Sequence, residues 1–365
     1  MDFYTETKHA FFYGATTIIG EDYVVRCREG FYNTDKKEGY FKKNASVDYN
    51  NRNIIGDSIY FNDTQKYASA TQNIRITDTI NNSFITGNYG QVFKEKDSAM
   101  VTHRALAINL VELDSLFIHA DTLIATGPPE QRIIRGFHDV RIFKEDLSGK
   151  TDSIHFNQTS GRAKLIRRPI SDRDLQYLTP QEIADRNPIL WSDESQMTGD
   201  EIHLTIDNEK EVLDSLLIYN NAFVIEQDSL DAANFNQIKG LQLKGKFKGK
   251  SLETVDVIQN TEMVYYLYDD ETQELTGIDK AICSALRLDF VDSGIEKITF
   301  FTNPDGVVYP PKELPENTRQ LLGFTWREDE RIYSKEDLFH GIDLENYSIK
   351  VKPGEIKGIP IELKR

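Results

Sequence analysis

Few residues in this chain have the types and spacing that chemistry needs. Lys244, Lys246, Lys248 and Lys250 alternate with Leu243, Gly245, Phe247 and Gly249. Side chains on a strand alternate faces with period two, so the four ammonium groups fall on one face. In an acidic chain such a stripe suits contact with anionic headgroups, whether lipid phosphate or acidic sugar. Lysines guarding an edge strand against aggregation are the plainer and favoured reading. His119, His155 and His203 alternate with apolar neighbours and so point away from the apolar face. His155 and His203 share the same offset from a preceding aspartate, and would form a metal-binding column if their strands were neighbours. Surface histidines are favoured, and no metal site is assigned. Tyr265-Tyr266-Leu267-Tyr268-Asp269-Asp270 has the aromatics and acids of a sugar-stacking site, and equally the composition of a strand followed by its turn. No close carboxylate pair, Ser/His/Asp order or glycine-rich phosphate loop stands out. The reading is therefore a non-enzyme, with no catalytic residue and no cofactor.

The elements that must carry these side chains are short strands. Gly56 to Gly90 sets the pattern: Ile59 and Phe61 share one face, and Ile74 and Ile76 repeat the alternation before the turn at Asp78–Ser83. Asp57-Ser58, Asp114-Ser115, Asp152-Ser153 and Asp214-Ser215 each precede apolar residues at the same parity, with weaker copies at Asp97 and Asp200. Asp and Ser suit a strand start because both close local turns on backbone N–H groups. The irregular spacing excludes a fixed-period solenoid. Leu116, Ile118, Ile154, Phe156, Ile202, Leu204, Leu216 and Ile218 extend the apolar face begun by Ile59, Phe61, Ile74 and Ile76. Two readings stay open for all twelve: the core of a closed sandwich, or the wall of a trough that holds acyl chains. Acyl binding needs little polar contact, since each buried CH₂ contributes about 0.8 kcal/mol.

The fold class expected is all-β, built from many short antiparallel strands. Residues 1–168 form a first ladder and 169–190 a helical insertion or hinge, with Thr179 as N-cap, Pro180 first in the helix and Glu182 completing a capping box. Residues 191–310 form a second ladder. Residues 311–365 form a C-terminal segment with helix candidates at 315–322 and 334–339 and an apolar clip of Phe324 and Trp326 between them. A net charge of −16 repels a nucleic-acid backbone, so nucleic acid is not an expected partner. Cys27 and Cys283 make no metal or redox motif. No apolar run approaches the roughly 20 residues of a membrane-spanning helix. The first residues lack the basic and apolar regions of a signal peptide, and the strand-like HAFFYG at 9–14 favours a mature or truncated start.

Several strings resemble the Bacteroidota OstA-like family, related to organic-solvent-tolerance and lipopolysaccharide-transport bridge proteins. They include FFYGATTI (11–18), GDSIYFN (56–62), ITDTINN (76–82), ITGNYG (85–90), DSAMVT (97–102) and DSLFIHADTL (114–123). Others are NPILWSDESQMTGDEI (187–202), NAFVIEQD (221–228), FNQIKGLQLKGKF (235–247), KITFFTNPDGVVYP (297–310) and SKEDLF (334–339). The resemblance implies a V-shaped periplasmic β-jellyroll of outer-membrane biogenesis that binds lipopolysaccharide or a related glycolipid. It also implies pairing through sheet edges with other jellyroll proteins of that system or head to tail with itself. The alternatives are a β-rich polysaccharide-binding or carbohydrate-active protein, and a scaffold that only pairs through its edges.

Overall fold

The computed structural model describes residues 1–49, 51–109, 115–167, 169–192, 194–207, 212–249, 251–269, 271–291, 294–313, 315 and 319–341. They are almost all antiparallel strand, and they fall into two compact units. Unit 1 is built on Met1–Ala107 with Thr122–Gly127, and unit 2 on Ile108–Asp121 and Pro128–His340.

Unit 1 carries β1 (Asp2–Tyr4), β2 (His9–Phe12), β3 (Thr16–Ile19), β4 (Tyr23–Cys27), β5 (Glu29–Asn33) and β6 (Glu38–Tyr49). They are followed by β7 (Arg52–Asn62), β8 (Tyr67–Asp78), β9 (Ser83–Phe93) and the start of β10 (Ser98–Asn109). Strands β6 to β9 pair in succession. Along β6, β5 pairs with Glu38–Lys42 while β4 pairs with Ser46–Tyr49. Strands β4 and β5 are thus two arms of one rung, and β3 and β2 are the arms of the next.

A corner joins the arms of each rung. On alternate rungs it is built from consecutive non-glycine residues in the left-handed region: Lys43-Asn44, Gln72-Asn73 and His103-Arg104, with φ of 50–62°. Asparagine tolerates that region because its short amide can bond locally. At each such pair the register slips. Lys42 faces Ser58 and Ala45 faces Gly56, so two residues oppose Asp57 alone. A bulge of this kind bends the strand. The neighbouring rung must come close to the bulge, and glycine is what allows it. A Cβ on Gly87 would lie 2.5 Å from Val101 Cγ1 and 3.0 Å from the Thr102 carbonyl oxygen. Asp57 therefore stands in mid-strand at the corner, where it accepts a 2.8 Å bond from Asn73 Nδ2, and does not start a strand as its sequence context suggested. Bending brings the apolar faces of the two arms together. Tyr23 and Tyr49 from one arm meet Phe61 from the other at 4.6 and 6.1 Å between ring centroids. Val25, Phe41, Val47, Ile54 and Ile59 are buried beside them.

Unit 2 repeats the device on longer rungs. Its strands are β11 (Leu116–Thr126, through Asp121), β12 (Ile133–Lys144), β13 (Leu147–Asn157), β14 (Arg162–Ile166), β15 (Ile189–Ser192), β16 (Ser195–Thr198) and β17 (Glu201–Asp207). Then come β18 (Val212–Gln227), β19 (Phe235–Lys248), β20 (Ser251–Tyr268), β21 (Leu275–Val291), β22 (Gly294–Phe301) and β23 (Asp305–Tyr309). Left-handed pairs sit at His138-Asp139, Asn220-Asn221, Gln259-Asn260 and Thr302-Asn303. Asp152-Ser153 lies opposite the first of these, again in mid-strand. Asp97-Ser98 and Asp214-Ser215 do lie at strand starts, and Asp114 falls outside the described residues. Gly240 meets the same constraint as Gly87, since its Cβ would lie 2.6 Å from Val257 Cγ1 and 3.2 Å from the Gln259 carbonyl oxygen.

Between β14 and β15 the chain leaves the sheet for α1 (Asp172–Leu175) and α2 (Pro180–Ala184), and the expected capping box of Thr179 and Glu182 is present. The excursion interrupts the chain but not the sheet, because β13 pairs with β15 and β14 with β17 across it. The other irregular segment, 319–340, is a clip laid over the outer face of one arm. Gln237 donates to the Arg319 carbonyl at 2.8 Å and accepts from the Leu321 N–H at 2.9 Å. Gln196 treats Thr325 and Arg327 the same way, at 2.7 Å each. Each glutamine thus bonds residues i and i+2, as a neighbouring strand would. This extended pairing explains why the described part of 315–322 is not helical, and 334–339 contains only a single 3₁₀ turn, Asp337–Phe339. Phe324 and Trp326 pack on Phe235 at 5.3 and 5.1 Å, and Trp326 reaches Trp191 at 4.8 Å.

Two predictions follow from these contacts. Gly87→Ala and Gly240→Ala each lower stability by about 1–3 kcal/mol through overpacking. Gly14→Ala, whose Cβ would meet nothing within 4 Å, serves as the near-neutral control in urea denaturation. Gln237→Leu removes the bonds to the Arg319 carbonyl and the Leu321 N–H, at about 1–3 kcal/mol per bond. Amide exchange at Leu321 should then accelerate ahead of exchange in the sheet, and unchanged protection there would refute the clamp.

Candidate functional site

The twelve residues expected on an apolar face are core side chains of closed interiors. In unit 1 these are Ile59, Phe61, Ile74 and Ile76, and in unit 2 Leu116, Ile118, Ile154, Phe156, Ile202, Leu204, Leu216 and Ile218. The most exposed of them, Leu116, is 6 % accessible. In unit 2 Leu116, Ile154 and Leu204 join Ile142, Leu147 and Leu213 around an apolar cavity of about 20 Å³. That holds roughly one water-sized sphere, so an acyl chain would enter only where the two arms part.

The lysine stripe lies within the sheet. Lys244 and Lys246 face Leu217 and Ser215 on β18, and Asp256 and Thr254 on β20. Edge protection therefore does not account for them. Their outward position follows from the apolar residues between them, since Leu243 is buried and Lys244, Lys246 and Lys248 are exposed. Asp256, the carboxylate across from Lys244, is bound by Arg287 at 2.6 and 2.9 Å. Lys250 lies outside the described residues.

The histidines divide. His119 is buried against Phe339, with ring centroids 4.9 Å apart, and is not a surface residue. His155 and His203 stand in one cross-strand row, but Lys164 of β14 sits between them, so they form no column. His203 Nε2 lies 2.5 Å from Glu201 Oε1, which Lys164 also approaches at 2.8 Å. The His155 imidazole is pushed below its ordinary value by burial, and further by Arg135 and Lys164 on either side. Tyr265–Asp269 serves as the end of a strand and the start of its turn, and Asp270 lies outside the described residues. Tyr266 is buried in an apolar cluster, and the Asp269 carboxylate accepts the N–H groups of Glu271 and Thr272. The Tyr268 hydroxyl donates to Asp228 at 2.6 Å, and burial together with that carboxylate pushes its pKa up to about 12. Cys27 and Cys283 are both free and buried, and burial raises both thiols.

One concavity of unit 2 with both apolar and polar walls was not legible in the sequence. It is a cleft of about 570 Å³ beside the corner of β18 to β20. Ala222, Phe223 and Ile225 supply apolar surface, and the corner contributes Asn221 and Asn260. Arg167, Asn187 and Ile183 come from the helical excursion and its approaches, and Leu322, Thr325 and Arg327 from the clip. Stretches far apart in sequence meet here, each ordinary in isolation. The left-handed asparagines were the one local signal, because a polar pair ending in Asn marks five of the seven described left-handed pairs.

No family model and no curated protein sequence matches the chain. Among solved structures it is similar to LptH, described as the LptA homologous periplasmic component of the conserved lipopolysaccharide transport device from Pseudomonas aeruginosa. The identity is 14 %, the match covers 29 % of this chain and 76 % of that one, and the TM-score is 0.27. A likeness of that degree carries no argument about function. Among the described residues no helix is long and apolar enough to cross a membrane, which says nothing of strands.

The row holding His155 gives a pH prediction. A histidine whose folded pKa is depressed costs nothing while both states are neutral. The cost grows as pH falls through its unfolded value near 6.5, because the unfolded chain then binds the proton more readily. The urea midpoint should therefore fall as pH drops below about 6.5, and His155→Gln should remove part of that fall while leaving the midpoint at pH 8 little changed.

Proposed function

We propose that this chain is a non-enzymatic, periplasmic bridging protein of the Bacteroidota OstA-like kind, acting in lipopolysaccharide transport to the outer membrane. The observation that carries the reading is the two-armed rung. Each corner turns the apolar faces of two arms toward one another, so an interior built for hydrocarbon runs along the rungs of each unit. Acyl chains can replace one arm's side chains against the other without any polar contact. The sequence strings that resemble the OstA-like family support the same reading, since they fall on these rungs and on the clip.

The sheet edges support bridging. Among the described pairings, β1 meets only β2 and β3 only β4, while β22 and β23 each meet only β21. Phe3, Tyr4 and Ile19 are exposed on the first pair, and Phe301, Val307 and Val308 on the second. Unpaired edges with exposed apolar side chains are templates for strand addition by a partner jellyroll or a second copy. The outward lysines Lys244, Lys246 and Lys248 are available to anionic headgroups.

Photocrosslinking amino acids at Ile154, Leu204 and Ile59 test the carrier reading. Lipopolysaccharide adducts are expected from these interior positions and not from an exposed control at Ile80. Adducts to protein alone, from edge positions such as Val307, would leave a scaffold and discard the carrier.

A further inference from the structure

The geometry points to the cleft beside the unit 2 corner as a binding site for a neutral, polyhydroxylated carbohydrate. It lies on the face of β18 to β20 that carries the clip, away from the residues to which the acyl reading assigns hydrocarbon, and it stands independently of that reading.

Three cations and two carboxylates line the cleft, and they are balanced against neighbours. Lys239 Nζ is 2.9 Å from Glu262 and 3.2 Å from the Leu322 carbonyl oxygen. Arg167 donates to Asn187 at 2.7 Å and lies 3.9 Å from Asp200. Arg327, which is buried, donates to Glu330 at 2.6 Å and to the Asn187 carbonyl at 3.1 Å. An anion would meet Asp200 and Glu262, and a cation would meet the three basic groups. A purely apolar ligand would take the hydration from all five charged groups without replacing it. A hydroxyl both donates and accepts, so vicinal hydroxyls satisfy walls that mix carboxylate, amide and ammonium.

The remaining features fit the same ligand class. Asn221 spends its amide N–H on Asp200 at 3.1 Å and keeps its carbonyl oxygen as an acceptor. Asn260, exposed at the next corner along, adds a donor and an acceptor. Beside them Ala222, Phe223 and Leu322 line the cleft with the apolar surface that the C–H face of a sugar ring needs. At the rim Leu322 is 90 % exposed, and Gly323 turns the clip with φ of +94°. A volume of about 570 Å³ lies within the range of small-ligand sites.

The test titrates the full chain with disaccharides of glucose, galactose, mannose and N-acetylglucosamine, using saturation-transfer NMR and calorimetry. Binding of at least one is expected. Asn260→Gly, which keeps the left-handed backbone comfortable, and Ala184→Trp, which fills the cleft from α2, should each weaken it tenfold or more. The two changes lie on different elements, so a variant whose melting curve shows loss of folding leaves the other to decide. No binding by any of the disaccharides, or binding that a folded variant leaves unchanged, overturns the proposal. Where binding holds, competition by deacylated lipopolysaccharide identifies a glycolipid headgroup as the source of the sugar, and its failure identifies a free polysaccharide. Crosslinking at Ile154 and Leu204 reports on acyl chains separately, so either reading can fail alone.

Discussion

Two adjacent residues in the left-handed region, repeated on alternate rungs, are the constraint on which this structure depends. One such residue costs a β-branched or bulky side chain dearly, and asparagine, glutamine, lysine and histidine less so. Seven described pairs draw mostly on those types. Each pair places two residues against one, shifts the register and bends the rung. Without the bend an apolar-faced sheet of this extent would present that face to water or to another chain. With it, the sheet covers itself, and every other feature of the interior follows from that closure.

The same bend limits what neighbours can be. The backbone of the bulge approaches the next rung so closely that Gly87 and Gly240 have no room for a methyl group. Asp57 and Asp200 lie beside such corners as well, each holding the second asparagine of a pair through its carboxylate. Asp57 and Asp200 thus have a physical role different from the turn-closing one their sequence context suggested. They pin the bulge, and the serine after Asp57 and Asp152 simply continues the strand.

Much of the fold was legible because period-two alternation is a strong signal. Ile59, Phe61, Ile154 and Phe156 are all inward and all buried, as the alternation requires. The capping box at Thr179 and the aromatic clip of Phe324 and Trp326 were legible too, since each rests on side chains close together in sequence. The corners were not legible as corners. A bulge changes the count between two strands, and a single strand carries no record of its partner's count. The position of Lys244 and Lys246 within the sheet was hidden for the same reason, because an alternating lysine stripe looks the same on an edge as in the middle. His119 was misplaced for a different reason: parity fixed its face, but the covering Phe339 comes from a segment more than two hundred residues away.

The cleft shows how far such local signals reach. Its walls come from the helical excursion, two corners and the clip, and what brings them together is the pair of buried glutamines that hold the clip in strand-like register. Gln196 and Gln237 point to the outer side of their arm, where an apolar residue would have been the simpler choice beside Ile225 and Val264. A buried amide is costly unless both of its ends are satisfied, and the clip backbone satisfies both ends of each at i and i+2. Backbone bonding of that kind fixes the clip's register without depending on its side chains. Leu322 and Thr325 are thereby left free to shape the cleft wall, while Phe324 and Trp326 anchor the segment. The division of labour between backbone-held register and side-chain-built surface is what makes the cleft a constructed feature of unit 2 and not a packing defect.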